Sequence, residues 1–500
     1  MKKFLKENWI YILGGTLVLA LFLLRFYRLT ILPVFVDEAI YIRWAQIMKA
    51  EETLRFLPLS DGKQPLFMWG VIPFLKFVSD PLMAGRMVSV LSGFGTLIGV
   101  SFLSYLLFKN KKAALAAGLI YAVSPFSFFF DRLALADAML SMFGVWTFIL
   151  AYLAITRERL DFAMLAGFAL GGAWLTKSPA LFFAIMLPVL WLFIKSPKKL
   201  IKAIPLTLVI VIIGYGMFNI LRLGPNFHLI ASRNLDYVYP INHFLTSPFN
   251  PLKSFLLASG QWLIKMGPWS LLILGLIGLL VNWKKMWKQK IVLFIWFLGP
   301  IVVQSEFAKV LTARYIFFTI PFLIVIASSA FIEERKNISR ILAVILVLFV
   351  GQSLIFDYHL LTNPDKANLP GSERTGYLEE WTAGQGIAET ADYLINEQIV
   401  NPSEKIVIGT EGYFGTLPDG LQMYLSKYPQ ITAIGVGLNF DSLPSQLVNA
   451  KNSGDSTYLL VNKFRFHNTP EKLGLKLIKE FPKAEKPDGS QDSLMLFLVL

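Results

Sequence analysis

Two neighbouring carboxylates, Asp37 and Glu38, follow the first long apolar segment of the chain, within Phe35-Val36-Asp37-Glu38-Ala39-Ile40-Tyr41. Acidic side chains among apolar and aromatic residues beside a membrane are costly unless they have partners or a function. A carboxylate held in such a place can accept the proton of a hydroxyl group and act as a general base. The pair is therefore the first candidate for catalysis.

The residues after Asp37 indicate the element that positions this pair. Polar residues alternate at helical spacing with the apolar residues Ile40, Trp44, Ile47 and Met48. This pattern predicts an amphipathic helix that lies on the outer membrane surface, with both acids in its first turn. Exposed amide N–H groups and the helix dipole favour carboxylates there, so the alternative is that the acids only cap the helix.

The composition is that of an integral membrane protein. The 500 residues are 55% hydrophobic and 16% charged, with a mean hydropathy of +0.57, whereas soluble domains are about a quarter charged. Recurring apolar runs predict a polytopic α-helical membrane protein with about 11 transmembrane helices. We place the spans near residues 9–28, 82–108, 113–130, 135–155, 162–177, 180–195, 201–221, 267–282, 290–304, 316–332 and 340–357.

The net charge of +14 is explained by basic residues in the short connections between spans. These connections are Lys109–Lys112, Lys195–Lys202, Lys284–Lys290 and Glu333–Arg340. The positive-inside rule makes their side cytoplasmic, which predicts a multi-pass protein of the cell membrane with a cytoplasmic N-terminus. Nucleic-acid binding is not needed to explain the charge. The absence of cysteine excludes thiol catalysis and disulfides.

The composition changes after residue 357, which predicts a membrane domain over residues 1–357, with a catalytic outer loop 29–81, and an extracytoplasmic domain over 358–500. In the second domain, apolar stretches at Ile406–Ile408, Tyr458–Val461 and Leu494–Leu500 predict buried strands, and helices are expected near 386–398, 442–452 and 472–480. This alternation predicts a small α/β domain. The segment Tyr377–Gly386 either covers an active site or is an ordinary loop before a helix.

Several short segments occur in a recognisable order between residues 24 and 320. They are Leu24-Arg25, Asp37–Tyr41, Lys63–Trp69, Arg86 with Ser89, Ser124–Asp137, Leu175–Pro179 and Arg314-Tyr315. Together they resemble motifs of the GT-C glycosyltransferases, the superfamily of protein O-mannosyltransferases and aminoarabinose transferases. The chain departs from the pattern at Gln64, where the family usually has proline, and at Ser178, where it has glycine.

This resemblance implies an inverting glycosyltransferase that works at the outer face of the membrane. A sugar would move from a polyprenyl-phosphate carrier to a hydroxyl of a glycan, lipid or protein acceptor, without a nucleotide or another cofactor. Asp37 is implied to be the base, and Glu38 to orient it or to bind sugar hydroxyls. A divalent metal is not favoured, because the superfamily relatives that need one use an Asp-x-Asp type of site. The sugar and the acceptor stay open.

Such chemistry needs fixed cations that stabilise the leaving phosphate. The candidates near the outer ends of spans are Lys63, Arg132, Lys177, Arg314 and Arg25, although such residues also extend to lipid headgroups. The secondary site candidates are Asp131, Asp137, Tyr41 and Arg86, and Asp137 is expected to pair with Arg132 or Lys177. A transporter or flippase of lipid-linked saccharides is the alternative function, and a non-catalytic membrane scaffold is the third.

Overall fold

The computed structural model describes residues 2–438 and 440–500, with side chains from residue 9 onwards, and its fold is mostly helical. The helices up to residue 218 are α1 (Lys2–Leu23), α2 (Val36–Ala50), α3 (Leu66–Phe74), α4 (Pro81–Phe108), α5 (Lys111–Val123), α6 (Pro125–Phe130), α7 (Ala136–Arg157), α8 (Leu160–Thr176), α9 (Leu181–Met186) and α10 (Pro197–Phe218). The later helices are α11 (Leu229–Tyr237), α12 (Asn242–Thr246), α13 (Leu252–Met266), α14 (Pro268–Leu280), α15 (Trp283–Phe307), α16 (Ala313–Ile316), α17 (Ile320–Ser328), α18 (Lys336–Thr362), α19 (Gly371–Arg374), α20 (Ile387–Val400), α21 (Thr416–Leu425) and α22 (Ser445–Asn452).

Every segment predicted to span the membrane is helical over most of its length. Within the described residues, the helical segments that are long and apolar enough to cross a bilayer number seven: Trp9–Phe26, Pro81–Phe108, Ala136–Arg157, Pro197–Leu223, Trp283–Phe307, Ala313–Ile332 and Lys336–Thr362. The pair α13 and α14, which is bent by 106°, makes an eighth candidate. The polytopic membrane class is confirmed, and the long spans are fewer than the eleven segments placed from the sequence.

Breaks and short helices account for the difference. The segment predicted at 113–130 is divided into α5 and α6 at Ser124, whose backbone is extended at φ −61° and ψ 125°. Ser124 precedes Pro125, and a residue before proline avoids helical backbone. The spans predicted at 162–177 and 180–195 correspond to the shorter apolar helices Leu160–Thr176 and Ser178–Phe193. Both are at or below the length that roughly 30 Å of hydrocarbon requires.

Contacts divide the chain into two compact units, which are not the two domains drawn from composition. The helical unit comprises Met1–Arg28, Arg55–Phe67 and Met87–Pro370. The mixed unit comprises Leu29–Leu54, Met68–Arg86 and Gly371–Leu500. The last change from one unit to the other falls between Pro370 and Gly371. Two early segments, which hold Asp37 and Arg86, belong to the same unit as the C-terminal residues.

Small residues bring the helices of the helical unit close together. Helix α8 packs on both α7 and α10. Gly167 and Gly171 of α8 lie against Ile213 and Met217 of α10, and a Cβ atom at Gly171 would come within 2.4 Å of the Met217 sulfur. Close backbone approach through small side chains is typical of helices packed inside a membrane. These glycines consequently fix the spacing of α8, which carries Lys177 at its C-terminal end.

The mixed unit contains a five-stranded sheet built from β1 (Ile406–Thr410), β2 (Ile431–Gly435), β3 (Ser456–Asn462), β4 (Leu475–Pro482) and β5 (Ser493–Val499). The strand order is β2-β1-β3-β5-β4. Strand β1 pairs in parallel with β2 and β3, whereas β5 pairs antiparallel with β3 and β4. The three predicted strands are confirmed, as are the helices expected near 386–398 and 442–452.

The helix predicted near 472–480 is wrong, because this segment forms the edge strand β4. Its buried residues are Leu475 and Phe481, while Lys476 and Lys479 are exposed. Charged residues between apolar ones fit an amphipathic helix and a half-exposed strand about equally well. Antiparallel pairing with β5 decides between them, and this partner is not visible in the local sequence.

Helix α2 forms as predicted, but its apolar face has a different partner. The side chains of Ile40, Trp44 and Met48 are each no more than 5% exposed. Helix α2 packs on α21, and the Trp44 ring stacks on Phe414 with ring centroids 5.8 Å apart. The interpretation of α2 as a helix lying on the membrane surface is corrected, since protein of the same unit covers the face that would enter the lipid.

Candidate active site

The turn that carries Asp37 is fixed by a short antiparallel bridge within the mixed unit. The Val36 amide donates a hydrogen bond to the Thr382 carbonyl (3.1 Å), and the Gly384 amide donates one to the Val34 carbonyl (2.9 Å). Residue 384 must be glycine, because a Cβ atom there would come within 2.6 Å of the Val34 carbonyl oxygen. The segment Tyr377–Gly386, singled out from the sequence, therefore lies beside the start of α2.

Glu38 and Arg86 form a buried ion pair in the same unit. Both side chains are fully buried, and the guanidinium donates to the two carboxylate oxygens at 2.8 Å (Nε–Oε1) and 2.7 Å (Nη2–Oε2). The remaining donors of Arg86 bind, at 2.9 to 3.0 Å, the carbonyl oxygens of Leu29, Leu32 and Pro33. All five guanidinium N–H groups are thus used, which is the arrangement that a buried arginine requires.

This ion pair separates the roles of the two adjacent acids. Glu38 also accepts a hydrogen bond from the Phe35 amide (3.0 Å), as a glutamate near a helix N-terminus commonly does. Its carboxylate is occupied and closed to solvent, so it positions the start of α2. Asp37 lies in the first turn of the same helix and is partly exposed. Tyr41, a secondary candidate, is buried and stacks on Trp44.

In the helical unit, Arg25 and Asp131 form a second fully buried ion pair. Arg25 Nε donates to Asp131 at 3.1 Å, and its other nitrogens bind the carbonyl oxygens of Ala122 and Tyr121 and the Ser127 hydroxyl. The Tyr121 hydroxyl donates to the Asp131 carboxylate. The Arg25 guanidinium also lies over the Phe22 ring, 4.3 Å from its centroid. The pair therefore joins the end of the first span to the α5–α6 region.

Arg132 is equally buried and binds the end of the first span. Its guanidinium donates to the carbonyl oxygens of Leu24, Arg25, Tyr27 and Arg28. Carbonyl groups at the end of a helix lack helical partners and favour a cation. The packing therefore does not support the expected roles of Arg25 and Arg132 as phosphate ligands. It also does not support the role of Asp131 as a second acid. All three hold the helical unit together.

Lys177 and Asp137 form the ion pair that was expected as one of two alternatives. The Lys177 ammonium lies 2.6 Å from Asp137 Oδ1, with the two side chains 19% and 5% exposed. The ammonium also lies over the Tyr315 ring, 4.7 Å from its centroid. The guanidinium of Arg314 is 5.1 Å from the same ring centroid. The Tyr315 ring thus lies near two cations, and both of them are partly accessible.

The residue after Lys63 contacts the residue after Lys177 through the two departures from the family pattern. Gln64 Nε2 donates a hydrogen bond to the Ser178 hydroxyl at 2.8 Å. Proline at position 64 and glycine at 178 could not make this bond, so the two departures compensate each other. Lys63 follows Asp61, which it contacts at 3.3 Å, and its side chain remains 20% exposed. We use the term cation group for Lys63, Lys177 and Arg314, the three cations predicted to bind phosphate that remain partly accessible.

One acid of the helical unit was missed at the sequence level. Asp357 of α18 is 4% exposed and lies close enough to Arg25 and Arg132 to interact electrostatically with both. An acid inside the last predicted span is itself a signal, because such residues are rare without partners. Within residues 2–438 and 440–500, no three histidine, aspartate or glutamate side chains are grouped as metal ligands would be.

Comparisons with known proteins agree with this architecture. A family model described as dolichyl-phosphate-mannose-protein mannosyltransferase matches residues 62–217. The structure of ArnT from Cupriavidus metallidurans in the apo state is 15% identical and covers 99% of this chain and 98% of its own, with a TM-score of 0.58. The same protein bound to undecaprenyl phosphate is 15% identical and covers 97% and 98%, with a TM-score of 0.59. No curated protein matches the sequence significantly.

These matches confirm the resemblance stated from the sequence motifs. The structural likeness extends over nearly the whole of both chains and shows the GT-C fold. The family model overlaps the segment that contains Lys63, Gln64, Asp137, Lys177 and Ser178. The side chains that form the cation group thus come mostly from the part of the chain that the family model recognises.

Proposed function

We propose that this chain, which has the GT-C fold of integral-membrane glycosyltransferases, transfers a sugar from a polyprenyl-phosphate carrier to an acceptor hydroxyl. The matched family model and the solved structure with undecaprenyl phosphate support a lipid-phosphate donor of this class. Transfer would take place at the outer face of the membrane, with the N-terminus and the basic connections in the cytoplasm. We propose that the anomeric configuration is inverted, since a single displacement needs no covalent sugar–enzyme intermediate.

The cation group is the observation that carries this proposal. A polyprenyl phosphate leaves with negative charge on its oxygens, and positioned cations stabilise charge that develops in the transition state. Lys63, Lys177 and Arg314 stay partly accessible, unlike the fully buried Arg25 and Arg132. The Tyr315 ring and the Gln64–Ser178 bond restrict how Lys177 and its neighbours can move. Such restriction lowers the reorganisation needed when the phosphate departs.

Asp37 is proposed to be the general base. In the reaction, the acceptor oxygen forms a bond to the anomeric carbon while the bond from that carbon to the phosphate oxygen breaks. The leaving polyprenyl phosphate takes the bonding electron pair, and the acceptor proton passes to the Asp37 carboxylate. The first turn of α2 stabilises the ionised form that can accept this proton. Glu38 and Arg86 are proposed to position the turn without contacting the reacting atoms.

The cation group is tested by donor turnover in purified protein. Wild-type protein in lipid nanodiscs is incubated with undecaprenyl-phosphate sugars and a membrane extract as acceptor source, and released undecaprenyl phosphate is measured. Lys177→Met and Arg314→Met are each expected to lower release about 100-fold or more, as loss of a transition-state charge partner commonly does. Lys63→Met is expected to act in the same direction.

Two further variants make this result interpretable. Lys177→Met is repeated together with Asp137→Asn, so that no buried carboxylate loses its partner. Lys285→Met removes an exposed charge from a basic connection and should turn over donor like the wild type. If Lys63, Lys177 and Arg314 could each be replaced with full donor turnover, the proposed phosphate site would be wrong.

A further inference from the structure

The parallel part of the sheet ends in a polar opening within the mixed unit. Strands β2, β1 and β3 run in the same direction, so their carboxyl ends share one edge. Glu411 follows β1, Gly437 lies just beyond β2, and Arg465 lies just beyond β3. Ligands of open α/β sheets bind outside the carboxyl ends of the strands. A cavity of about 730 Å³ lies there and is lined by all three residues.

Aromatic side chains form the wall of this cavity. Trp381, Tyr413 and Phe414 line it and are 36%, 75% and 49% exposed. The Arg465 guanidinium lies 5.0 Å from the Trp381 ring centroid, and Phe414 stacks on Trp44, so two of the rings are held by neighbours. Adjacent exposed aromatic rings are costly in water and are typical of binding surfaces.

The floor of the cavity is polar and buried. Glu411 is 4% exposed and accepts hydrogen bonds from the Asn462 amide (2.7 Å) and the Asn462 side chain (2.6 Å). Arg465 lies 3.2 Å from the same carboxylate and keeps a fifth of its side chain exposed. Burial raises the pKa of Glu411 above its ordinary value. The charged pair is therefore fixed in place with donor and acceptor groups that reach the opening.

Thr416 is an independent indication that the cavity can bind a polar group. It is the first residue of α21, it lines the cavity, and it is 3% exposed. Its hydroxyl has no hydrogen-bond partner among the residues that the structure describes. A buried hydroxyl gains free energy when it forms a hydrogen bond. A ligand hydroxyl in the cavity would satisfy it.

These properties together select one chemical class. An apolar ligand would leave the Thr416 hydroxyl without a partner, and a phosphate group would meet the Glu411 carboxylate, with which Arg465 is already paired. A sugar ring has a C–H face that packs on aromatic rings and hydroxyls that bind charged and polar groups. We propose that this cavity binds a neutral saccharide unit, with Trp381 and Tyr413 against the ring face and Glu411, Arg465 and Thr416 bonded to hydroxyls. This binding site does not depend on the proposed transferase function.

The experiment measures saccharide binding by the whole chain. The protein is placed in lipid nanodiscs, because maltoside and glucoside detergents would themselves compete for the cavity. Saturation-transfer NMR is recorded with lactose, cellobiose, mannobiose and chitobiose at millimolar concentrations. We expect saturation of the ring C–H protons of at least one disaccharide. Tyr413→Ala and Trp381→Ala should weaken its binding about tenfold or more.

Two variants separate binding from folding. Phe464→Ala removes an exposed ring whose centroid lies 5.0 Å from the Arg465 guanidinium but which does not line the cavity, and binding should equal that of the wild type. Thr416→Val keeps the shape and removes the unpartnered hydroxyl, so it should weaken saccharide binding while the protein unfolds at the same or a higher temperature. Failure of all four disaccharides to bind would overturn the proposal, as would wild-type affinity in Tyr413→Ala and Thr416→Val.

Discussion

Asp37→Asn is expected to reduce sugar transfer about a hundred- to ten-thousand-fold, the usual cost of losing a positioned base. Asparagine keeps the shape of the side chain and can still accept a hydrogen bond at the start of α2, but it cannot take a proton. Asp37 is partly exposed, so the temperature of unfolding should change little. The measurement is the rate of acceptor-dependent release of polyprenyl phosphate by protein whose folding has been checked.

A second aspartate of the mixed unit provides the matched control. Asp80 precedes α4 and its carboxylate accepts hydrogen bonds from the amides of Leu82 (2.8 Å) and Met83 (3.3 Å). Asp80→Asn therefore also replaces an acid at a helix start, without touching the proposed base. It should transfer sugar at nearly the wild-type rate. Transfer by Asp37→Asn within a few-fold of the wild type would refute the role of Asp37.

Arg86→Met is expected to destabilise the protein by about 3–5 kcal/mol, which is the usual effect of removing one partner of a buried ion pair. The variant leaves Glu38 charged and buried, and it leaves the carbonyl groups of residues 29, 32 and 33 without their donor. Arg86→Lys should also be less stable than the wild type, because an ammonium cannot form the same planar set of hydrogen bonds. The measurement is the temperature of unfolding in lipid nanodiscs.

An exposed ion pair shows how much of this effect comes from burial. Arg159 and Asp161 are each about half exposed, and such pairs contribute only about 0–1 kcal/mol. Arg159→Met should therefore unfold at nearly the wild-type temperature. Glu38→Gln should be destabilising in the same way as Arg86→Met, and the double variant should be less unstable than the two single effects added together. Wild-type stability of Arg86→Met would contradict the structural role of the pair.

The sequence predicted what depends on local pattern. Long apolar runs predicted where the membrane helices lie, and the helical spacing of the apolar residues after Asp37 predicted α2. The Lys177–Asp137 pair was expected because both residues fall at span ends in the predicted topology. Strands β1, β3 and β5 were visible because each is a short apolar run buried in the sheet.

Partners that are distant in sequence could not be predicted in the same way. Nothing near Glu38 in the sequence indicates Arg86, which is 48 residues away. The hydrogen bond between Gln64 and Ser178 links two residues that are 114 positions apart. In the sequence, these two residues are separate departures from the family pattern, and only the structure shows that they contact each other. The arginines at positions 25 and 132 have the right type for phosphate binding, and only their burial shows that backbone carbonyls already occupy them. The edge strand β4 likewise depends on its pairing with β5.

The most direct test of the proposed transfer follows the labelled sugar of an undecaprenyl-phosphate donor in proteoliposomes that contain the purified protein and a membrane extract as acceptor source. Transferase chemistry predicts that the label leaves the lipid for the acceptor fraction while free undecaprenyl phosphate accumulates. Asp37→Asn should abolish both changes. If the label instead stays on the lipid and only moves between the two leaflets, the protein is a flippase of lipid-linked saccharides, and the proposed transferase function is contradicted.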